Sequence, residues 1–295
     1  MDWFERHLSL RRDPARLFPG ARSALVLAVY YRDVATEAVL ENAPRRISRY
    51  AVGRDYHRLL RKKGTRLLAA LREIIPELDG RVVVDSAPVP EKILARLAGI
   101  GWQGKHTNLI HPELGSYFFL SVLLLNHAFD ADEPIADLCG QCRLCLDACP
   151  TGALFEDYRI DAGRCISYLT IERDAATPIA EALQDAVTAR APENDDAPGR
   201  GSESKDTDPD FHGWVFGCDI CQEVCPYNRN RRTRERTTAE PGFRLREAVR
   251  DFMQTPETPA LDAASNISQL TAGSPLARAG AEKLKQNIEY ARQSH

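Results

Sequence analysis

The sequence predicts an α/β N-terminal half, a second, α+β unit organised around cysteines, and a short helical segment at the C-terminus. Three observations predict it. Apolar runs of strand type alternate with helical spacings as far as residue 125, all eight cysteines fall between Cys139 and Cys225, and two helical patterns follow residue 244. At 295 residues the chain exceeds the usual ~100–200 residues of one domain. The expected division is 1–135, 136–230 and 231–295. With 43% hydrophobic and 27% charged residues the composition is that of a globular protein, which excludes disordered and fibrous classes. The formal charge of −3 leaves any anionic partner to be met by a local basic patch.

Ala24–Tyr31 is a continuous apolar run with β-branched and aromatic members behind Pro19-Gly20, and reads as a buried strand. From Tyr56 to Ile75 the residues Leu59, Leu60, Leu67, Leu68, Leu71 and Ile74 recur at helical spacing, with Pro76 as the stop. Val82-Val83-Val84 is a short strand ending at Asp85, Pro90 opens a helix over 91–98, and Phe118–Leu125 is another core strand. Residues 192–210 hold seven acids, two bases and no large apolar side chain, so this stretch is expected to be a disordered insert. Leu245, Ala248, Val249 and Phe252 form one late helical pattern, and Ala277, Ala281, Leu284 and Ile288 another. No apolar run is long enough to span a bilayer, and the N-terminus has no stretch of signal-peptide type, so a cytoplasmic protein is expected.

Cysteines clustered in this way favour metal over disulfides in a reducing compartment. Cys139-x2-Cys142-x2-Cys145-x3-Cys149-Pro150 matches the bacterial ferredoxin run whose fourth cysteine ligates the other of two [4Fe–4S] clusters. Cys218-x2-Cys221-x3-Cys225-Pro226 is a second copy lacking its first cysteine, which Cys165 can supply. The crossing rule then gives one cluster Cys139, Cys142, Cys145 and Cys225, and the other Cys149, Cys165, Cys218 and Cys221. Two structural zinc sites are the alternative, disfavoured by the two Cys-x3-Cys-Pro endings. Such clusters move single electrons and perform no bond chemistry alone, so the N-terminal half is expected to hold their acceptor.

Three N-terminal segments stand out, 49–57 (RYAVGRDYH), 84–91 (VDSAPVPE) and 99–110 (GIGWQGKHTNLI). By spacing alone they are a turn, a strand end and a Gly-rich loop. In this order, and followed by 165–172 (CISYLTIE) and 217–226 (GCDICQEVCP), they resemble the cobalamin-dependent epoxyqueuosine reductases, from about Trp3 to Tyr227. The resemblance implies base-off cobalamin in residues 1–135, two [4Fe–4S] clusters in 136–230, and reduction of the epoxide of epoxyqueuosine at the tRNA wobble position to an alkene, the last step of queuosine synthesis. It implies a proton donor at Asp85, whose pKa would have to be raised, as burial against a corrin could do. It also implies cobalamin contacts from Lys105, Thr107, Asn108, Ser167, Asp219 and Gln222, with no histidine ligand to cobalt. By the family's pattern, an opening strand and helix and a set of C-terminal tRNA-gripping helices are expected to be missing or reduced, with 274–291 a remnant.

Residues 43–66 hold nine Arg or Lys against Asp55, and 229–236 hold five Arg against Glu235, two patches suited to a phosphate backbone. The expected partners are the modified tRNA and a separate electron donor, with the protein a monomer. Reductive dehalogenases share the cofactor set and are a rival reading, countered by the lack of a twin-arginine signal. An electron carrier without catalysis of its own is another.

Overall fold

The computed structural model describes residues 7–188, 209–255 and 264–293. The expected insert therefore lies outside the described residues, except for Pro209 and Asp210.

Phe118–Leu125 is buried along nearly its whole length because it is the middle strand of three, with Ser23–Tyr30 and Gly80–Val83 on either side. Leu123 and Leu125 face one side, where Leu68, Leu71 and Leu78 cover them. Val122 and Leu124 face the other, against Val89 and Leu94. That two-sided cover is why the strand reads as an unbroken apolar run instead of an alternation. The helix Tyr56–Ile74 lies on the first face, opened by Asp55, whose side chain accepts the His57 N–H. It approaches closely at Gly64, where an added Cβ would stand 2.5 Å from Val82 Cγ1. The helix Glu91–Leu97 lies on the second face.

Both pairings of the middle strand are antiparallel, so the order along the sheet is not the order along the chain. After Glu91–Leu97 the chain does not enter the sheet directly. It runs through the paired strands Trp102–Gln103 and Leu109–Ile110 and a turn closed by His111 and Gly115, which reverse its direction. The last residues of Ser23–Tyr30 and Gly80–Val83 and the first of Phe118–Leu125 thus share one end of the sheet, and Asp85 stands there.

The cysteine unit is joined to the N-terminal half by more than a linker. Arg46–Ile47 pairs in parallel with Trp214–Phe216. Beside this pair Arg49, 6% exposed, forms ion pairs with Glu37, with Asp219 at 3.0 Å and with Glu223 at 2.8 Å. The last part of the chain is no appended tail. Helices Glu247–Gln254, Ala264–Thr271 and Gly280–Gln293 share a core with Val39, Leu40, Ile47, Val52, Ile171, Val215 and Phe216, drawn from both other parts. Asn287 Nδ2 donates to the carbonyls of Thr170 and Val215, and Lys283 Nζ to that of Ile171. The final helix thereby ties the segment after Cys165 to the segment before Cys218, across the insertion that separates them in sequence. Helices Ala264–Thr271 and Ile179–Thr188 are not among the elements expected from the sequence, although Ile179 and Leu183 stand one helical turn apart and are buried.

Replacing Arg49 by methionine leaves Asp219 buried without its cation and should cost about 3–5 kcal/mol, measured by denaturant unfolding of anaerobic protein. A loss below about 1 kcal/mol, the range of a surface ion pair, would show that the network does not hold the two parts together.

Candidate iron–sulfur and proton-transfer site

The first cysteine run turns into the short helix Leu144–Asp147, and the second into Ile220–Glu223. Each ends just before a Cys-Pro step that restarts the chain, at Pro150 and Pro226. Cys139, Cys142, Cys145 and Cys225 line one cavity of about 370 Å³. The neighbouring thiols are felt electrostatically. Burial first, then Cys225 and Cys139, push the Cys145 thiol up to about 11. Burial, then Cys139 and Cys142, raise Cys225. The other thiols form a second neighbourhood: burial and then Cys221 and Cys165 raise Cys218, and burial followed by Cys165 and Cys149 raises Cys221. Cys139, Cys142, Cys145 and Cys225 thus share one cavity, and Cys149, Cys165, Cys218 and Cys221 influence one another, with Cys145 also felt at Cys221. Raised thiols crowded together are poor isolated thiolates and favour cationic iron, which offsets their mutual repulsion. Among the described residues no three His, Cys, Asp or Glu side chains converge on the position of a single ion. A four-iron cube, with a ligand at each corner, does not require such convergence.

At the sheet end, Asp85 adopts φ +47, a left-handed conformation that aspartate tolerates better than most residues. Its backbone N–H donates to Glu91 Oε1 at 2.7 Å. Its Oδ2 accepts from the Tyr56 hydroxyl at 2.6 Å and lies 2.9 Å from His57 Nε2, while His57 Nδ1 lies 2.8 Å from Asp55 Oδ1. The stacked rings of Tyr56 and His57, at the first turn of their helix, are thus aimed by the same Asp55 that caps it.

Burial alone would raise the Asp85 carboxyl, but hydrogen bonds from His57 and Tyr56 and the His57 charge outweigh it and hold the pKa below the usual range. The expected raised value is thereby corrected: Asp85 rests as an anion. The Asp85 hydrogen bond raises His57, against the opposing effect of burial and with further help from Asp55. Glu91 is pushed up to about 7 by burial, with the Asp85 N–H opposing and the Asp85 charge assisting.

Asp85 is 51% exposed in its side chain, yet protein surrounds it closely enough to desolvate it, as at the floor of an open cleft. Lys92, also solvent-accessible, lies on the same floor. Its Nζ donates to the Thr107 carbonyl at 3.1 Å and to Asn108 Oδ1 at 3.2 Å. Burial lowers its pKa, and the charges of Cys221 and Asp85 oppose that fall. One lysine therefore touches the Thr107–Asn108 loop and feels the charges of the carboxylate and of a thiol of the second set.

The remaining expected contacts are placed differently. Lys105 is 6% exposed, ion-paired with Asp157 at 2.9 Å, and lines the cavity of the first thiol set. Asp219 is fully buried, accepting from Ser48 and Arg49. The buried Gln222 accepts from Ser116 Oγ at 2.8 Å. Ser167, half-buried, turns its backbone N–H to the Cys165 sulfur. Tyr56, His57, Glu91 and Lys92 received no role from the sequence, although the first three lie within segments singled out there and Lys92 follows one directly. Of the basic run at 43–66, Arg45 and Arg49 are buried and Arg46 is ion-paired with Glu223 at 3.0 Å. Arg54, Arg58, Arg61, Lys62, Lys63 and Arg66 stay exposed, as do all five arginines of 229–236.

Residues 11–86 match the family described as epoxyqueuosine reductase QueG, DUF1730, and residues 138–228 match a 4Fe-4S double cluster binding domain. The chain is similar to epoxyqueuosine reductase of Leadbetterella byssophila, 37% identical over 293 residues that cover 99% of this chain and 84% of that one. It is similar to the Escherichia coli (strain K12) epoxyqueuosine reductase at 36% over 296 residues, covering 99% and 69%. Among solved structures it resembles a Bacillus subtilis epoxyqueuosine reductase whose catalytic aspartate loop is swung out of the active site, with TM-score 0.72, 26% identity and coverage of 96% and 68%. It also resembles an epoxyqueuosine reductase crystallised with an epoxyqueuosine-modified tRNA-Tyr stem loop, with TM-score 0.69, 27% identity and coverage of 94% and 66%.

Replacing Cys165 by alanine is expected to reduce anaerobically determined iron from about eight atoms per chain to about four, as one four-iron cluster is lost. Full iron content in that variant would break the assignment of thiols to the second set.

Proposed function

Because the chain belongs to the epoxyqueuosine reductase family, we propose that it reduces epoxyqueuosine to queuosine in tRNA, with Asp85 delivering a proton to the substrate oxygen. The observation that supports this reading is Lys92, which binds the Thr107–Asn108 loop and lies within the electrostatic reach of both Asp85 and Cys221. The clusters, when bound, supply single electrons, and cobalamin supplies the reductive chemistry at carbon. In this reading Cys139, Cys142, Cys145 and Cys225 hold one cluster, and Cys149, Cys165, Cys218 and Cys221 the other. Lys92, Thr107, Asn108 and Ser167 offer polar groups to the amide side chains of the corrin. Lys105, Asp219 and Gln222, all engaged within the protein, position neighbouring segments instead. His57 is held between two carboxylates, which leaves it unsuited to ligate cobalt.

Converting an epoxide to an alkene consumes two electrons and two protons and releases water. Breaking the first C–O bond develops charge on oxygen, which a placed acid must neutralise. Asp85 at rest is an anion, so its proton comes from the partner that raises its own affinity for one. Each ring nitrogen of His57 faces a carboxylate oxygen, Nδ1 that of Asp55 and Nε2 that of Asp85, and this pairing favours the protonated ring, which can then donate from Nε2 to Asp85 Oδ2. As the substrate oxygen gains charge, the His57 Nε2 proton moves to the Asp85 carboxylate, and Asp85 passes a proton on to that oxygen, which leaves His57 neutral. Tyr56 keeps the carboxylate oriented throughout.

The exposed arginines of 229–236 and the exposed bases of 54–66 support a tRNA substrate, since they supply local positive charge on a chain of net −3. Among the described residues no helix is long and apolar enough to cross a membrane.

Asp85→Asn should slow single turnover of a pre-reduced enzyme on an epoxyqueuosine stem loop by about 10²–10⁴-fold, with iron and cobalamin content near the parent's. Turnover at the parent rate would remove Asp85 from the chemistry, and lost cobalamin would recast it as a binding residue. His57 has its pKa raised in the folded protein, so its stored proton is present at low pH and is lost as pH rises through that raised value. The rate should therefore fall on the alkaline side, and His57→Gln should be slower and lack that limb. A limb that survives in the variant would assign it to another group. Converting Arg231 and Arg232 to glutamine should weaken stem-loop binding and lower the salt slope by about one unit per lost phosphate contact. An unchanged slope in a filter-binding titration would exclude those arginines from the interface.

A further inference from the structure

The cavity that gathers Cys139, Cys142, Cys145 and Cys225 has a second wall, the segment from Trp102 to His106, and that wall presents N–H groups. Trp102, almost wholly buried, donates its Nε1–H to Cys139 Sγ at 3.4 Å. The Lys105 backbone N–H turns to the same sulfur. His106 comes next, 2% exposed and lining the cavity itself. Its Nδ1 accepts the Asn108 N–H at 3.1 Å. A neutral imidazole has one N–H, so with Nδ1 accepting, the hydrogen sits on Nε2. Burial first, and the Lys92 charge second, push the His106 pKa down to about 4, which keeps the ring neutral at physiological pH. Nε2 is buried and has no hydrogen-bond partner in the protein. A buried donor left unsatisfied is costly, and such groups normally face an acceptor. The acceptors to be expected in a cavity walled by four cysteines are sulfur atoms.

We infer that His106 donates its Nε2–H to the iron–sulfur cluster held by Cys139, Cys142, Cys145 and Cys225, and with Trp102 and Lys105 raises the reduction potential of that cluster. Donors facing sulfur withdraw electron density and stabilise the more negative, reduced state. The second thiol set is served differently. Backbone N–H groups of Ser167, Tyr168 and Ile220 face its sulfurs, and the Thr151 hydroxyl lies 3.7 Å from Cys149 Sγ. Trp214 Nε1 is also buried without a partner, in the packed group that includes Cys218, so a ring N–H lies near the second set as well. The Gly-rich segment 99–110 thus has two tasks: residues 102–106 tune a cluster, and Thr107–Asn108 face the cleft with Lys92.

The inference rests on the proposed cluster assignment, so iron and acid-labile sulfide are measured first in anaerobically reconstituted protein. An unaltered protein without about eight irons would overturn the cluster reading itself. With both clusters present, an EPR-monitored reductive titration of His106→Leu should show one cluster shifted to lower potential and the other unmoved. His106→Gln, which keeps an N–H, should return the shifted value toward the parent's. Pulsed EPR of the reduced, unaltered protein labelled with ¹⁵N-histidine should show a histidine nitrogen coupled to one cluster, and the coupling should vanish in His106→Gln. Both potentials unchanged in His106→Leu at full iron content would overturn the proposal. If the leucine variant fails to hold iron, the labelled parent decides, and absence of a histidine coupling there overturns it equally.

Discussion

The buried guanidinium of Arg49 is the interaction on which the placement of both halves depends. It lies between Glu37 on a helix of the N-terminal half and Asp219 and Glu223 of the second cysteine run. Asp219, with no exposure, is desolvated strongly enough that burial raises its pKa against the pull of Arg49. Its oxygens are satisfied by the Ser48 hydroxyl and by the backbone and side chain of Arg49. A charge so enclosed persists only with its partners in place. The loop from Cys218 to Cys221 is therefore held at a set position against the segment that leads, a few residues later, into Asp55, Tyr56 and His57.

That linkage brings Asp85 and a thiol of the second set within the electrostatic reach of one lysine, Lys92. Asp85 is placed by the sheet end, His57 by the first turn of a helix packed on that sheet, and Cys221 by the ion-paired loop. The final helix adds a second brace through Asn287 and Lys283, on the far side of the Cys165 and Cys218 segments. Close packing and satisfied polar contacts thus fix relative positions among segments that are remote in sequence.

The electrostatics of the cleft are divided between groups. Asp85 is kept ionised by two donors, His57 is kept charged by two carboxylates, and Glu91 beside them is left close to neutrality. In the proposed reaction, proton storage on His57 and delivery through Asp85 would separate two demands that one aspartic acid meets poorly, since an acid strong enough to stay ionised at rest holds few protons at neutral pH.

Patterns local along the chain were legible from the sequence. The cysteine spacings, the strands at 24–31 and 118–125 and the helix from Tyr56 follow from periodicities, breakers and short motifs, because each reflects one element or one loop, whereas the role expected of Asp85 comes from the family resemblance alone. The tertiary structure alone decided the rest. It reversed the direction of the third strand, made the C-terminal helices part of the core, and buried Arg45 and Arg49 out of a run that read as surface charge. It turned Lys105 toward a cluster cavity and put Lys92 on the cleft floor in its stead. It also lowered the pKa that Asp85 was expected to have raised. The physical reason is common to all of these: a side chain's charge state and role depend on neighbours brought from distant parts of the chain, and no spacing along the sequence encodes which neighbours those are.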